Sequence, residues 1–380
     1  MMLAPREIFS AESHPQNTRV MIAPGRYIQG AGVFDQLGTY LKLVPAKRAA
    51  VLLTSGGQSR LGARLKTALS SGEVAAHTIL FDGECSHREV EACVAAINEE
   101  AGEIDCLVAI GGGKCLDAGK AIAHRLNKPV VICPTIASTD APTSAVAVMY
   151  DDHGVSLGGE FYPHSPAMVV IDSAIVAQAP ARYLAAGMAD ALASVYELRA
   201  VLANPNGRSM VGGRPTFTVA SMVEACRDIL LRDGQAAFEA AQNKQVTPEL
   251  ENVIEANTLT SGIGFESGGL AAVHAVAAGL TVIPKIRQNI LHGEQVAIGI
   301  LTQLALQGDD VEGKLVSTFF QSIGLPTSLG DIGLASSNGD ELKQVVKRAL
   351  EMPIIRNFGI EISAELLLNT LKQLDQKNKS

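Results

Sequence analysis

The chain has no surplus of positive charge, no apolar run of bilayer length and no paired-cysteine motif. Its 31 Lys and Arg stand against 39 Asp and Glu, a formal net charge of −8, so neither nucleic acid nor an anionic membrane surface is an expected partner. No window reaches about 18 apolar residues, because Glu266 and His274 interrupt even the apolar stretch around Leu270, and no spanning helix is expected. Residues 1–19 lack a basic stretch followed by an apolar core, and Pro5, Glu12, His14 and Pro15 break any such helix. No export signal is read there, and a cytoplasmic location is expected. The six cysteines, Cys85, Cys93, Cys106, Cys115, Cys133 and Cys226, have no C-x-x-C spacing. Four lie in apolar runs and read as reduced core thiols, while Cys115, inside a glycine turn, reads as the one open to modification. A charged content of only 18% beside 47% hydrophobic residues excludes disorder, and 380 residues suffice for about two or three domains, each with its own core.

What the chain does contain is organised around residues 104–124. An apolar strand-like run ends in Gly111, Gly112, Gly113 and Lys114 and passes into a helical pattern carrying Asp117. Glycines there let a ligand approach the backbone, and the free N–H groups of the following helix favour a pyrophosphate. An ordinary strand-to-helix turn is an equal reading, since the spacing is neither G-x-G-x-x-G nor G-x-x-x-x-G-K-[ST]. The alternation of Ala118, Ala121 and Ile122 with Lys120 and Arg125 predicts a helix packed on a sheet. Further strands are predicted at 26–29, 49–53, 74–81 and 129–133, with helical patterns between them, which gives a parallel sheet covered on both faces. Residues 54–60 read as a turn before the next helix, and 145–150 with 155–161 as an antiparallel hairpin around Asp151, Asp152, His153 and Gly154.

After Pro180 nearly every segment has helical periodicity: 183–202, 217–232, 248–262, 268–279, 294–306, 310–323, 340–351 and 364–376. Two domains are expected, an α/β nucleotide-binding unit over 1–180 and an all-helical unit over 181–380. Asp190 lies on an apolar helix and needs a partner for its charge. His274, among Leu270, Ala271, Val273, Val276 and Ala277, suits a hydrogen-bonded core histidine as well as a ligand, and His292, at a helix start, suits a cap as well as a ligand. Ser267 is placed to cap the His274 helix. Glu266 reads as part of a structural turn or as a functional group, and nothing assigns work to Tyr196 or Glu197.

The segments GGGKCLDAGKA, PTIASTDAPTSA, GMADALA, GFESGGLAAVHA and LHGEQVAIG, in that order, resemble the glycerol dehydrogenase branch of the iron-containing, polyol-type alcohol dehydrogenases. The likeness runs from about Pro24 to about Ala305. It implies the dehydroquinate synthase-like plan of an α/β nucleotide-binding domain and a helical metal-binding domain. It also implies Asp190, His274 and His292 as ligands of a divalent metal acting as Lewis acid on an alcohol oxygen, with hydride transfer to a nicotinamide. Iron-binding relatives place another histidine four residues after the aspartate; here that position is Ser194, which favours Zn²⁺. By the same resemblance Gly112, Gly113 and Lys114 seat the pyrophosphate, Thr135 and Ser138 line the nucleotide cleft, Ser144, Val146 and Tyr150 line the nicotinamide pocket, and Asp140 faces the substrate. An Asx-type turn is the plain alternative for 139–142.

The resemblance implies a small polyol as substrate and glycerol or a 1,2-diol as the first choice. A hydroxycarboxylate or 2-oxo acid is the second choice. A dehydroquinate-synthase-like lyase would need several cations for its substrate, yet residues 262–297 hold only Lys285 and Arg287. A catalytically silent paralogue is disfavoured by the presence of all three ligand positions. Where glycerol dehydrogenases end a strand in an acid that binds the ribose, this chain has Thr54-Ser55-Gly56-Gly57-Gln58-Ser59-Arg60. This resembles the Gly-Gly-x-Ser followed by a basic residue of phosphate-tolerant members of the wider family, which implies Ser59 and Arg60 as partners of a 2′-phosphate and NADP accepted at least comparably to NAD; a solvated helix face is the equal reading of Arg60. The apolar helical half predicts a homo-oligomer.

Overall fold

The computed structural model describes residues 3–10, 14–151, 154–334 and 338–377, so Glu12 and the turn residues Asp152 and His153 lie outside the described residues. Short apolar runs bounded by glycine, proline and charge form six parallel strands: β1 (Tyr27–Gly30), β2 (Arg48–Thr54), β3 (Ala75–Phe81), β4 (Cys106–Gly111), β5 (Val130–Pro134) and β8 (Met168–Asp172). Their order across the sheet is β1-β8-β5-β4-β2-β3. The period-two pleat divides β2: Ala50 and Leu52 face one core, Ala49, Val51 and Leu53 the other, and all five are buried. The first of these cores continues into the helical half, joining Leu107, Ala109, Ile132 and Val169 to Leu184, Met188 and Leu192. The expected hairpin is present as β6 (Val146–Tyr150) and β7 (Ser156–Phe161), paired antiparallel.

β8 carries no counterpart among the sequence expectations. It is a five-residue apolar run, Met168 to Asp172, fully buried between β5 and β1. Residues 54–60 are not a separate turn: the helix Ser55–Ser71 starts at once, with Thr54 Oγ1 accepting from Gly57 N at 3.0 Å as its cap. Ser267 does not cap the His274 helix. Its hydroxyl bonds Ile22 N and Ile22 O at 3.0 and 3.2 Å instead, tying the N-terminal segment to the helical half, as Val20 N does to Arg214 O at 3.1 Å.

Among the described residues no strand follows Asp172, and no single helix is long and apolar enough to cross a membrane. The helix expected to stop at Arg232 runs from Phe217 to Gln242, because Gly234 is not a terminator. It is where the Phe319 ring packs, 2.6 Å from where a Cβ would stand. The segment from Pro248 to Gly268 is helical throughout but widens to π geometry at Ala256–Thr260 and Gly264–Gly268. All six cysteines are buried, Cys115 included; burial pushes its thiol up to about 12, which removes it as a reactive group.

Candidate metal centre and nucleotide cleft

The helix Ala181–Ala203 carries Asp190, Ala272–Leu280 carries His274, and His292 is the first residue of His292–Gln307. Glycine brings them together at two points. A Cβ on Gly293 would overlap the Ala186 carbonyl, and one on Gly187 would overlap the Ala137 carbonyl oxygen and stand 2.5 Å from Asn257 Nδ2. The Asp190 helix thus meets the His292 helix at one point and the loop after β5 at the other, backbone to backbone and closer than side chains permit. Asp190 is 1% exposed. Its Oδ2 accepts from Asp140 N at 3.2 Å, while its Oδ1 has no hydrogen-bond partner and faces the Nε2 atoms of His274 and His292, each at 3.4 Å.

The tautomer of His274 follows from its other nitrogen. Nδ1 lies 2.6 Å from Glu197 Oε2, and a carboxylate only accepts, so Nδ1 carries a proton and Nε2, on the Asp190 side, is the ring nitrogen left to meet a ligand. A carboxylate oxygen and two imidazole nitrogens, with ligand atoms within 4.8 Å of one another, are a donor set that fits one divalent cation. Electrostatics agree. Burial works against charge on Asp190, yet the His292 and His274 rings hold its carboxyl below the usual range. Burial likewise opposes charge on His274, and Glu197 with Asp190 raises its pKa well above the usual range despite it. Ser194 adds no ligand: its hydroxyl donates to Ala191 O at 2.7 Å on its own helix. His292 is 48% exposed against 11% for His274, so the centre opens to solvent on the His292 side.

Glu197 was passed over in the sequence, although it lies seven residues after Asp190, two turns along one helix face. It is fully buried; Oε1 accepts from Ala271 N and His274 N at 2.7 and 2.9 Å, closing the start of the His274 helix that no side chain within that helix caps. Glu197→Gln keeps the size but weakens the hold on the imidazole. Metal affinity is expected to fall about 10- to 100-fold, as outer carboxylates of this kind typically cost, read by competition with a chromophoric chelator. Unaltered affinity would remove Glu197 from the centre.

The nucleotide-side residues gather at the carboxyl ends of β4, β5 and β2, where parallel sheets open their crevice. Gly112 precedes the helix Gly113–Arg125 and gives it no side-chain cap, leaving N–H groups free toward the cleft. Thr135 N bonds Gly111 O at 2.9 Å, and Thr139 Oγ1 would lie 3.4 Å from a Cβ on Gly113, so the loop after β5 folds over the glycine turn. Ser138 is half-buried on that loop. Lys114 bonds Glu84 Oε2 at 2.7 Å, and its ammonium sits 4.8 Å from the centroid of the Tyr150 ring. Asp140 is half-buried; enclosure in the cleft and the Asp190 carboxylate push its own carboxyl well above the usual range. Ser59 and Arg60 are exposed on the second turn of their helix, and Arg60 has no ion pair among the described residues. Lys120, expected on the polar face with Arg125, is instead 3% exposed beneath the loop.

The loop after β5 thus bonds the glycine turn through Thr135 at one end and Asp190 through Asp140 at the other, so that the free helix N-terminus and the Asp190, His274 and His292 group share one loop. Residues 24–173 match the family described as iron-containing alcohol dehydrogenase. A glycerol dehydrogenase of Thermotoga maritima is 42% identical over 361 residues, 93% of this chain and 96% of that protein. One from Escherichia coli is 43% identical over 335 residues, 87% and 89% of the two chains. The crystal structure of glycerol dehydrogenase from Schizosaccharomyces pombe aligns with a TM-score of 0.89 at 30% identity, covering 96% of this chain and 92% of that one. The chain belongs to the iron-containing alcohol dehydrogenase family, in its glycerol dehydrogenase branch.

Proposed function

We propose that the protein oxidises a small polyol, glycerol or a 1,2-diol, to the hydroxyketone with a nicotinamide as hydride acceptor. The observation that carries this reading is the convergence of Asp190 Oδ1 with the Nε2 atoms of His274 and His292, in a chain whose relatives are glycerol dehydrogenases. In this reading residues 1–180 are the nucleotide-binding domain and 181–380 the metal-carrying domain. Asp190, His274 and His292 hold the ion, with Zn²⁺ favoured because Ser194 is spent on its own helix. When bound, the ion supplies a Lewis acid that makes an alcohol hydroxyl more acidic. Gly112 and Gly113 receive the pyrophosphate on free N–H groups, with Lys114 exchanging Glu84 for a phosphate oxygen. Thr135 and Ser138 border the nucleotide, and Ser144, Val146 and Tyr150 border its nicotinamide. Asp140 holds a second hydroxyl of the polyol. A bound oxidised nicotinamide would supply the two-electron acceptor for the hydride of the carbinol carbon, with the hydroxyl proton going to solvent.

A neutral substrate is supported by where the cations go. Lys285 bonds Glu341 at 3.2 Å and Arg182 is held by Glu294, so of these three cations only Arg287, on the Thr281 carbonyl at 3.3 Å, has no carboxylate partner among the described residues. For the cofactor, unpaired Arg60 beside Ser59 supports NADP at least on a par with NAD. A homo-oligomer in the cytoplasm completes the proposal. One panel tests it: polyols, simple alcohols and 2-hydroxy acids, each with NAD and with NADP, followed at 340 nm, the ~340 nm band being that of reduced nicotinamide. Glycerol or a 1,2-diol is expected to give the highest kcat/KM. Activity confined to hydroxy acids would replace the polyol reading, and an NAD preference above about 100-fold, or about 2.7 kcal/mol, that Arg60→Ala leaves untouched would remove the 2′-phosphate role.

A further inference from the structure

Lys120 is a charged side chain in the wrong place for solvation: it is 3% exposed and lies two turns along the helix whose N-terminus is the proposed phosphate seat. Its ammonium meets Asp117 Oδ1 at 2.8 Å, a buried partner on the same helix. Its remaining contacts all fall on one short segment. It donates to Ala141 O at 2.9 Å, to Ser144 Oγ at 3.3 Å and to Val146 O. Asp117 extends the grip, its Oδ2 accepting from Val148 N at 3.0 Å. From the helical half, Glu266 Oε1 accepts from Ala145 N at 3.0 Å, and Thr258 O accepts from Thr143 Oγ1 at 3.1 Å. Just before these contacts the backbone N–H of Asp140 is bound by Asp190.

The segment 140–146 is therefore pinned at its start to Asp190 and over the rest of its length to Lys120 from beneath, with Thr258 and Glu266 holding residues 143 and 145 from the helical half. A hydrophobic residue could fill the space under the loop, but it could not hold two carbonyls and a hydroxyl at fixed positions. We propose that Lys120 is a positioning residue for hydride transfer: it fixes the Ser144–Val146 wall relative to both the phosphate seat and Asp190. It touches neither substrate nor metal. The inference rests on the functional reading above and names the residue that sets the spacing in that site.

The test compares Lys120→Met combined with Asp117→Asn, which leaves no stranded carboxylate, with Asp117→Asn alone and with wild type. Each is assayed as metal-loaded protein for metal content, for the Kd of reduced nicotinamide, and for kcat with protiated and deuterated glycerol. The expected result for the double variant is metal content as in wild type, a Kd within about tenfold, and kcat lower by about 100-fold, the usual cost of an ångström-scale misplacement of reacting groups. The deuterium effect on kcat is expected to grow, because the transfer step becomes slower than product release. Asp117→Asn, which keeps the loop contacts of Lys120 but leaves its buried ammonium without a counter-charge, is expected to lose stability while kcat per metal of the folded protein stays within about threefold of wild type.

A double variant with wild-type kcat per metal and an unchanged isotope effect would overturn the proposal, leaving Lys120 a stability residue. An equal loss in Asp117→Asn would also overturn it by assigning the effect to the ion pair. Should the double variant not fold, Lys120→Gln, which retains N–H donors, is expected to keep more activity than Lys120→Ala; equal rates for these two count against the proposal. Wild-type protein that turns over none of the panel with either nicotinamide defeats the functional reading itself, a result distinct from all of these.

Discussion

Asp190→Ala is expected to leave the protein with almost no bound divalent metal and to lower kcat/KM for its best polyol by about a thousandfold or more, a loss of about 4 kcal/mol. The argument is one of donors and charge. Asp190 supplies the only carboxylate in the cluster with His274 and His292, and its Oδ1 is the atom both imidazole Nε2 atoms face at 3.4 Å. Without it two neutral imidazoles remain, too few for a site of the usual three protein ligands. His274→Ala should behave alike, although it also frees Glu197 from its ring contact and so adds a stability cost that Asp190→Ala lacks. Elemental analysis of freshly purified protein and steady-state rates after metal reconstitution separate the outcomes. Wild type should hold about one ion per chain and lose its rate to a chelator. Full metal content and full rate in Asp190→Ala would move the centre elsewhere.

Gly187→Ala is the second large effect, and it arises without touching chemistry. A Cβ at this position would overlap the backbone carbonyl of Ala137 and crowd Asn257 Nδ2, which bonds that same carbonyl at 3.0 Å and Leu184 O at 3.1 Å. A flexible side chain could turn aside; a carbonyl engaged by a buried amide cannot. Overpacking of this sort typically costs 1–3 kcal/mol and here sits at the upper end, about 3 kcal/mol. For a chain of 380 residues, at about 2.1 cal/mol/K of unfolding entropy per residue, that is a fall of about 4 °C in Tm. Ala137 stands three residues before Asp140, so the same shift should draw the loop away from Asp190 and lower kcat in the protein that does fold. Gly313→Ala is the control: nothing stands within 4 Å of its Cβ on the helix Asp310–Ser322. It should raise stability by about 0.5–1 kcal/mol through helix propensity alone. Equal melting temperatures for the two variants would show that the contact at Ala137 yields easily.

The sheet was legible because its strands announce themselves by composition. Cys106–Gly111 and Val130–Pro134 are continuous apolar runs with glycine or proline at their ends, the signature of strands buried on both faces. Met168–Asp172 is apolar up to its terminal Asp172, but it follows a hairpin and not a helix, so nothing before it marks a βαβ unit, and only the fold reveals that it fills the place between β5 and β1. The grouping of Asp190, His274 and His292 was expected through resemblance and not through spacing, and the structure brings the three together. Nothing in local pattern tells a ligand histidine at 274 from a core one, since what distinguishes them is the approach of residue 190 from another helix. Glu197 and Lys120 were within reach of simple helix arithmetic, one two turns from Asp190, the other three residues from Asp117. What stayed out of reach was their burial, which depends on which loop the chain later lays over them.

One pairing in the sheet bears on how the molecule is made. Tyr27 in the edge strand β1 takes its partner from Val169 in β8, and the segment ahead of it is held by Arg214 O and Ser267. On a ribosome adding about 5–20 residues per second, β1 emerges on the order of ten seconds before its neighbouring strand exists, and the residues before it wait longer still. Through that interval an unpaired strand is displayed in the nascent chain, open to chaperones and to strands of neighbouring nascent chains. A strand made early in the chain is thus among the last to find its partner.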